Sequence, residues 1–65
     1  MTRDQACWAA EHDWYQGCGM IKRPGQEPRY TVVCLQRDWD SRTQTMDERT
    51  VTFSDFDAMR AWAGY

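Results

Sequence analysis

The stretch "RYTVVCLQRDW" (residues 29–39) has the clearest secondary-structure pattern in the chain and predicts its best-defined strand. Its β-branched and aromatic residues are typical of strands. Side chains alternate along a strand, and apolar residues here fall on both sides. This predicts a central strand with one face against helices and the other partly covered, the two sets being Tyr30, Val32 and Cys34, and Thr31, Val33 and Leu35.

Two further strands are expected to flank the central one. "CGMIKR" (18–23) is a weak strand, followed by the turn "PGQEP" (24–28), in which two prolines and a glycine exclude regular structure. "RTVTF" (49–53) is the third strand, after a polar connection at 40–47. Strands joined by short links form an antiparallel meander.

The first helix is expected over residues 2–16. Thr2 and Gln5 have the spacing of a capping box, which satisfies two backbone N–H groups at a helix start. The interior is rich in alanine and lacks glycine and proline. Gly17 or Gly19 would end this helix.

The last helix is expected over residues 55–63, with Ser54 as its N-cap and Asp57 completing a weaker capping box. Gly64 would close it. The order of elements is then α-β-β-β-α. The predicted fold class is α+β, with a three-stranded antiparallel sheet packed with two helices in a single domain, residues 1–65.

The composition indicates a small protein whose core needs no metal or disulfide. Nine of the 65 residues are aromatic, enough for a two-layer domain. The chain begins with Met and ends in "AWAGY", which we interpret as a complete small gene product. No stretch predicts a signal peptide or a membrane span. We therefore expect a cytoplasmic monomer in a bacterial host cell, with no cofactor and no membrane partner.

Three cysteines and one histidine are the candidates for a metal site. An odd number of cysteines without a C-x-x-C pair is typical of thiols that pack as small apolar side chains in a reducing compartment. The spacing of Cys7, His12, Cys18 and Cys34 matches no standard ligand pattern. We expect no metal, and a small Cys/His metal-binding protein stays open only as the last alternative.

No residues have the spacing of a catalytic site. His12 is expected to be a solvated side chain between Glu11 and Asp13. On the predicted helix it lies about 140° around the axis from Cys7, which is too far for a nucleophile–base pair. Ser41 lies in a polar connection without the glycines of a nucleophile elbow. We predict that the protein is not an enzyme.

The net charge argues against direct binding of nucleic acid. A chain with net charge −2 has the wrong sign for a surface that contacts phosphates. Three basic residues do surround the first turn, where we expect them to be solvated or to protect an edge strand. They are Lys22, Arg23 and Arg29.

The negative charge is concentrated in one segment. Residues 38–57 contain six carboxylates and two arginines, a net charge of −4, whereas the other residues carry +2. In an antiparallel meander the loop after the second strand and the start of the last helix lie at opposite ends, so the carboxylates need not form one patch. They are Asp38, Asp40, Asp47, Glu48, Asp55 and Asp57.

Two interpretations of "DWD" (38–40) are open. If the segment is extended, Asp38 and Asp40 lie on one face about 6.6 Å apart, and Trp39 points the opposite way. In the first interpretation the aspartates are ordinary polar loop residues and Trp39 folds into the core. In the second, Trp39 is an exposed anchor for a basic partner, and the carboxylates speed encounter and set the register.

The chain resembles the small inhibitor proteins of bacterial phages and mobile elements, in particular the anti-CRISPR proteins directed at type I (Cascade) complexes. The resemblance covers the whole chain and rests on its size, a helix with a small antiparallel sheet, and the closing "TFSDFDAMRAW" helix. The clustered acids of "DWDSR" and "SDFD" support it. It implies a non-enzymatic blocker that places carboxylates where DNA phosphates would sit on the basic channel of a CRISPR effector.

The resemblance also implies which residues would contact the partner, a host protein complex with a basic nucleic-acid-binding surface. Trp39 would add a steric or hydrophobic contact. An inhibitor of host transcription, or of another host protein, is the alternative in the same class. The carboxylates in the implied role are Asp38, Asp40, Asp47 and Glu48, with Asp55 and Asp57 as further candidates.

Overall fold

The computed structural model describes residues 1–65 and confirms the predicted α-β-β-β-α order of an α+β fold. The strands β1 (Tyr15–Ile21), β2 (Arg29–Asp40) and β3 (Thr45–Phe53) form one antiparallel sheet in the order β1-β2-β3, which confirms that the predicted strand at residues 29–39 is central. No helix has the length and apolar character needed to span a membrane. The elements are α1 (Arg3–Ala10), β1 (Tyr15–Ile21), β2 (Arg29–Asp40), β3 (Thr45–Phe53) and α2 (Phe56–Ala63).

Helix α1 begins as predicted but ends earlier. The side chain of Gln5 accepts from the Thr2 backbone N–H at 2.9 Å, and the Thr2 hydroxyl accepts from the Gln5 N–H at 3.3 Å, which confirms the capping box. The helix stops at Ala10, and the prediction that a glycine ends it is wrong. Gly17 and Gly19 lie within β1.

Helix α1 ends at Ala10 because the residues that follow pair with the sheet. The Leu35 N–H donates to the Trp14 carbonyl at 2.7 Å, and Tyr15 pairs with Cys34. Pairing with β2 therefore satisfies the backbone of a segment whose composition is compatible with a helix. This tertiary pairing overrides a weak local preference.

Strand β3 is longer than the predicted 49–53. It starts at Thr45, which pairs with Asp40, so most of the predicted polar connection belongs to the hairpin. The turn is a four-residue loop, 41–44, with Gln44 in the left-handed region at φ 54°. The Asp40 carboxylate accepts from the Arg42 N–H at 2.9 Å and fixes this turn.

Helix α2 begins one residue later than predicted. The N-cap is Asp55, whose carboxylate accepts from the Ala58 N–H at 3.2 Å, so the prediction of Ser54 as the cap is wrong. Asp57 consequently occupies the second helical position, where it cannot complete a capping box. Gly64 ends the helix in the left-handed conformation at φ 90°, as predicted.

Both helices lie on the same face of the sheet. Ala6 and Ala9 of α1 and Met59 of α2 pack with Val32 and Cys34 of β2, and these are the five buried residues. The predicted alternation of β2 is confirmed, because Val32 and Cys34 face the helices. Since so few side chains are fully buried, the fold also depends on a rim of half-buried aromatic residues: Trp8, Trp14, Tyr15, Tyr30, Phe53, Phe56 and Trp62.

The molecule is long and narrow, with principal extents of 52 × 20 × 17 Å. The Trp62 indole N–H donates to the Gln36 side chain at 3.2 Å, which marks how far α2 reaches along β2. Beyond this level the hairpin continues without a covering helix, and residues 41–50 are all exposed. The hairpin therefore projects from the two-layer body.

Candidate partner-binding surface

Most of the predicted binding residues meet near the end of the β2–β3 hairpin. The register places Asp38 directly opposite Asp47 and Trp39 directly opposite Met46. Directly opposite residues share a face of the sheet. The hairpin brings together Asp38, Trp39, Asp40, Asp47 and Glu48.

Asp55 and Asp57 lie elsewhere. They belong to the start of α2, just after Phe53, which is six residues along β3 from Asp47. At about 3.3 Å per residue this corresponds to roughly 20 Å along the strand. The structure therefore separates these two carboxylates from the hairpin.

The hairpin residues divide between two faces. Asp38, Asp40 and Asp47 are on the face that the helices cover further along the sheet, and we call them the acidic side. Trp39 and Met46 point the opposite way, and we call them the apolar side. Carboxylates therefore do not surround the tryptophan on one face.

Trp39 is exposed, and the interpretation that places it in the core is wrong. Its exposed fraction is 60%, and that of its neighbour Met46 is 51%. An aromatic residue beside a long apolar residue is a favourable cross-strand pair. Met46 was not predicted as a surface residue, because β3 was expected to start only at residue 49 and begins at Thr45. Extending β3 to match the length of β2 would have found it.

The acidic side contains two carboxylates in direct opposition. Like charges directly opposite each other destabilise a sheet. Asp38 has a basic neighbour, since the Arg49 guanidinium lies 3.6 Å from its carboxylate, and the Gln36 amide donates to it at 3.2 and 3.3 Å. The Asp47 side chain has no hydrogen-bond or ion-pair partner within the chain. Asp47 is thus the carboxylate most open to an external cation.

Glu48 differs from the three aspartates. It lies on the same face as Trp39 and forms an ion pair with Arg37 at 3.3 Å. Both side chains are more than half exposed, so the pair adds little to stability. The pair does place a cation beside the Glu48 carboxylate. The acidic side therefore consists of the three aspartates alone.

His12 is not the solvated side chain that the sequence predicts. Its ring stacks on Trp14 at 4.8 Å and lies 4.4 Å from Trp8, and Nδ1 is 2.9 Å from the Trp8 carbonyl oxygen. Because α1 ends at Ala10, the following turn folds the imidazole into the aromatic rim. His12 is half-buried there.

The cysteines are spread over the core and the surface. Cys34 is buried, and burial raises the pKa of its thiol. Cys7 and Cys18 are exposed and line a shallow pocket of about 190 Å³ together with Tyr15. A side-chain hydrogen bond with Cys18 raises the pKa of the Tyr15 hydroxyl. No group of three or more His, Cys, Asp or Glu side chains is arranged to hold a metal ion.

The largest depression lies at the other end of the molecule from the hairpin turn. It has a volume of about 480 Å³, between the N-terminus and the β1–β2 loop. No serine, cysteine or histidine lines it. Its lining consists of Met1, Thr2, Gln5, Gln26, Glu27, Pro28 and Arg29.

The projecting hairpin is therefore the candidate partner-binding surface of the molecule. It presents unpaired negative charge on one side and exposed apolar area on the other. Comparison with known proteins adds no relative: no family model, curated protein or solved structure matches the chain significantly.

Proposed function

We propose that the protein is a non-enzymatic inhibitor from a phage or mobile element that binds a host CRISPR effector complex of type I. It blocks DNA binding or recruitment by placing the acidic side of its hairpin on the basic channel of that complex. The observation that carries the proposal is the acidic side itself. Asp38, Asp40 and Asp47 lie together on a hairpin that projects beyond the helices.

Charge is the physical basis of the proposal. A channel that binds nucleic acid is lined with Lys and Arg, which neutralise closely spaced phosphates. Asp38 and Asp40 repeat negative charge about every 6.6 Å along β2, and Asp47 adds a third carboxylate opposite Asp38. A cation from the channel would relieve the repulsion between Asp38 and Asp47. Binding thus gains from an unfavourable contact already present in the free protein.

The shape of the hairpin supports the same function. A long, narrow protrusion reaches into a groove that a compact domain would only cover. Neither helix covers the end of the hairpin, and residues 41–50 are all exposed. Inhibition of host transcription is the alternative, because the same acidic side would fit the basic channel of another nucleic-acid machine.

Charge reversal on the acidic side tests the proposal. The affinity of the purified protein for a purified type I effector complex is measured by calorimetry, without DNA. We expect the double variant Asp38→Lys, Asp40→Lys to bind about a hundredfold more weakly, as for charges at the centre of an interface. The far-ultraviolet circular dichroism should stay unchanged, because both side chains are exposed or half-exposed on the hairpin.

A matched control separates local from overall charge. Glu11→Lys with Glu27→Lys changes the net charge by the same amount, but both exposed residues lie away from the hairpin. We expect this variant to retain affinity within about threefold, the loss from long-range attraction alone. Equal loss in both variants, or undiminished binding by the hairpin variant, would contradict the role of the acidic side. Wild-type binding to host RNA polymerase, with none to the effector complex, would favour the alternative.

A further inference from the structure

The backbone hydrogen bonds of β2 show which backbone groups of β1 are free. Successive residues of an antiparallel strand turn their backbone N–H and C=O groups to alternate sides. The Leu35 N–H donates to Trp14, on the side of β1, whereas the Tyr30 N–H donates to Met1, on the side away from β1. The odd-numbered residues of β2 therefore bond to β1, and the even-numbered residues bond on the other side.

Two residues of β1 have backbone groups that point out of the sheet. Gly19 pairs with Thr31, an odd-numbered residue of β2, so the backbone groups of Gly19 are used within the sheet. Those of its two neighbours, Cys18 and Met20, face the opposite way. The outer edge of β1 therefore offers free donors and acceptors at alternate residues.

The two edges of the sheet are protected differently. Charged side chains and proline within an edge strand prevent it from pairing with another chain. Strand β3 contains Asp47, Glu48 and Arg49. Strand β1 contains no charged residue and no proline between Tyr15 and Ile21. The β1 edge is thus the one open to a further strand.

An exposed apolar side chain and an apolar pocket lie together at the β1 edge. Met20 is exposed to 57%, and it is on the face that the helices cover because it pairs with Tyr30. The shallow pocket of about 190 Å³ is on this same face, where Cys7 of α1 lies beside Tyr15 and Cys18 of β1. Its lining is almost entirely apolar. The chain itself leaves both the side chain and the pocket uncovered.

We propose that the β1 edge pairs with β1 of a second copy of the chain, in an antiparallel, two-fold symmetric dimer whose axis passes beside Gly19. Cys18 of one copy is then directly opposite Met20 of the other, and the symmetry repeats this pair. All the free backbone groups of these two residues find partners. Gly19 lies opposite its own counterpart, where the absence of a side chain permits close approach of the two backbones. The two sheets become one continuous sheet.

The side chains at the edge identify a second copy as the occupant. Met20 of one copy lies one strand spacing, about 4.8 Å, from Cys18 of the other, and its side chain enters the pocket beside that cysteine. Methionine is well suited to filling an irregular apolar gap. Each copy provides both the side chain and the pocket, as an isologous interface requires.

Charges at the two ends of β1 favour the same pairing. Arg23 is four residues from Gly19 in one direction, and Trp14 is bonded to β2 four residues from the level of Gly19 in the other. The half-turn therefore brings Arg23 of one copy to Trp14 of the other, beside the exposed Asp13. Opposite charges meet at both ends of the paired strands.

The size of the contact predicts a weak dimer. Residues 14–23 of the two copies overlap along about 26 Å, and the narrowest extent of the molecule is 17 Å. The projected area is then about 440 Å² for each copy, or about 900 Å² in total, at the small end of specific interfaces. Backbone hydrogen bonds supply much of the affinity when a strand is added to a sheet. We expect a dissociation constant of about 10–100 μM.

The dimer goes beyond the proposed function and does not depend on it. It replaces the expectation of a monomer from the sequence. The half-turn directs the two hairpins to opposite ends of the joined sheet, because it reverses the strands. Asp38, Asp40 and Asp47 therefore remain accessible in both copies.

Sedimentation equilibrium of the purified protein tests the proposal, from about 5 μM to about 1 mM, a range that brackets the expected affinity. A reducing agent keeps the exposed Cys7 and Cys18 from forming disulfides between copies. We expect a mass that rises to twice the 7.7 kDa of the chain. A single monomeric species over the whole range would overturn the proposal.

The two edges of the sheet provide a matched pair of variants. Met20 and Thr50 are both exposed, and each has outward backbone groups, on β1 and β3 respectively. We expect Met20→Lys to weaken dimerisation at least about a hundredfold, because it places a charge in the apolar pocket. Thr50→Lys adds the same charge and should change the dissociation constant less than about threefold. Equal weakening by both variants, or a dimer that Met20→Lys leaves intact, would contradict the use of the β1 edge.

Two further variants at the same position separate the side chain from the backbone. Met20→Leu keeps an apolar side chain of similar volume and should retain the affinity within about threefold. Met20→Pro removes an N–H group that the chain itself does not use, and proline is tolerated at such an edge position. We expect it to abolish the dimer, and retention of the dimer would overturn the strand pairing. Circular dichroism of each variant establishes that it is folded.

Discussion

Replacing Asp47 by asparagine should make the protein more stable, although it removes a residue that we place in the binding surface. The change keeps the shape of the side chain and removes one of two carboxylates that lie directly opposite each other in the sheet. Asp38 then keeps its contacts with Arg49 and Gln36 without an opposing charge.

The magnitude follows from the register. Side chains directly opposite each other in an antiparallel pair are about 5 Å apart, and two unit charges at that distance in water repel by about 0.8 kcal/mol. Screening at physiological ionic strength reduces this to about 0.4 kcal/mol. Asp40 lies diagonally across the strand pair from Asp47, and Arg49 lies two residues further along β3. Standard sheet spacings put each about 7 Å away, so their opposite effects on Asp47 roughly cancel.

The assay is thermal unfolding followed by circular dichroism at fixed protein concentration. For a domain of this size we expect Asp47→Asn to raise the midpoint by about 2–3 °C. The gain should approach double this value at about 10 mM salt, where screening is weak. The matched control is Asp57→Asn, in the first turn of α2, which should lose stability because a carboxylate there favours the helix dipole.

A destabilised Asp47→Asn variant, or a gain that does not depend on salt, would refute the repulsion across the hairpin. The expected outcome has a functional meaning. A residue whose charge lowers stability is typical of a surface that evolved for binding. The same variant should also bind the proposed host complex more weakly.

Three further predictions concern the body of the fold. Burial raises the pKa of the Cys34 thiol above its ordinary value of 9.0, so its contribution to stability is complete below about pH 9 and is lost as the pH rises further. Urea unfolding between pH 9 and pH 10 should show a fall in the free energy of unfolding that Cys34→Ala lacks. Met59→Ala should lower the unfolding free energy by about 2–5 kcal/mol through a core cavity, and chemical denaturation measures it. Trp62→Phe should cost about 1 kcal/mol by removing the hydrogen bond to Gln36, and Gln36→Ala should abolish most of that difference in a double-mutant cycle.

The central strand was predictable because its pattern is local. Alternation over residues 29–39 identified both faces of β2, and the buried pair Val32 and Cys34 agrees with it. Capping also has a short-range cause, which is why Thr2 and Gln5 were identified correctly. The order of elements followed from these signals and from the turn at 24–28.

The end of α1 was not predictable, because its cause lies far along the chain. The residues after Ala10 are compatible with a helix, but the Leu35 N–H donates to the Trp14 carbonyl, and this hydrogen bond ties the segment to the sheet. The same change of path moves His12 from solvent into the aromatic rim.

The binding surface shows the same division between local and distant causes. The alternation of "DWD" correctly predicted that Trp39 lies on the other face of the sheet from Asp38 and Asp40. Whether Trp39 was buried depended on which face the helices cover, and that is decided by packing across the whole molecule. The pairing of Trp39 with Met46 depends on the start of β3. The sequence predicted this start at residue 49, beyond Met46, whereas β3 begins at Thr45.

Competition with DNA tests the central claim most directly. A type I effector complex is loaded with its fluorescent target duplex, and the protein is titrated in while DNA anisotropy is recorded. We predict that the wild type displaces the duplex and that the double variant Asp38→Lys, Asp40→Lys does not. Binding of the wild type to the DNA-loaded complex, with the duplex fully retained, would contradict the placement of the acidic side in the DNA channel.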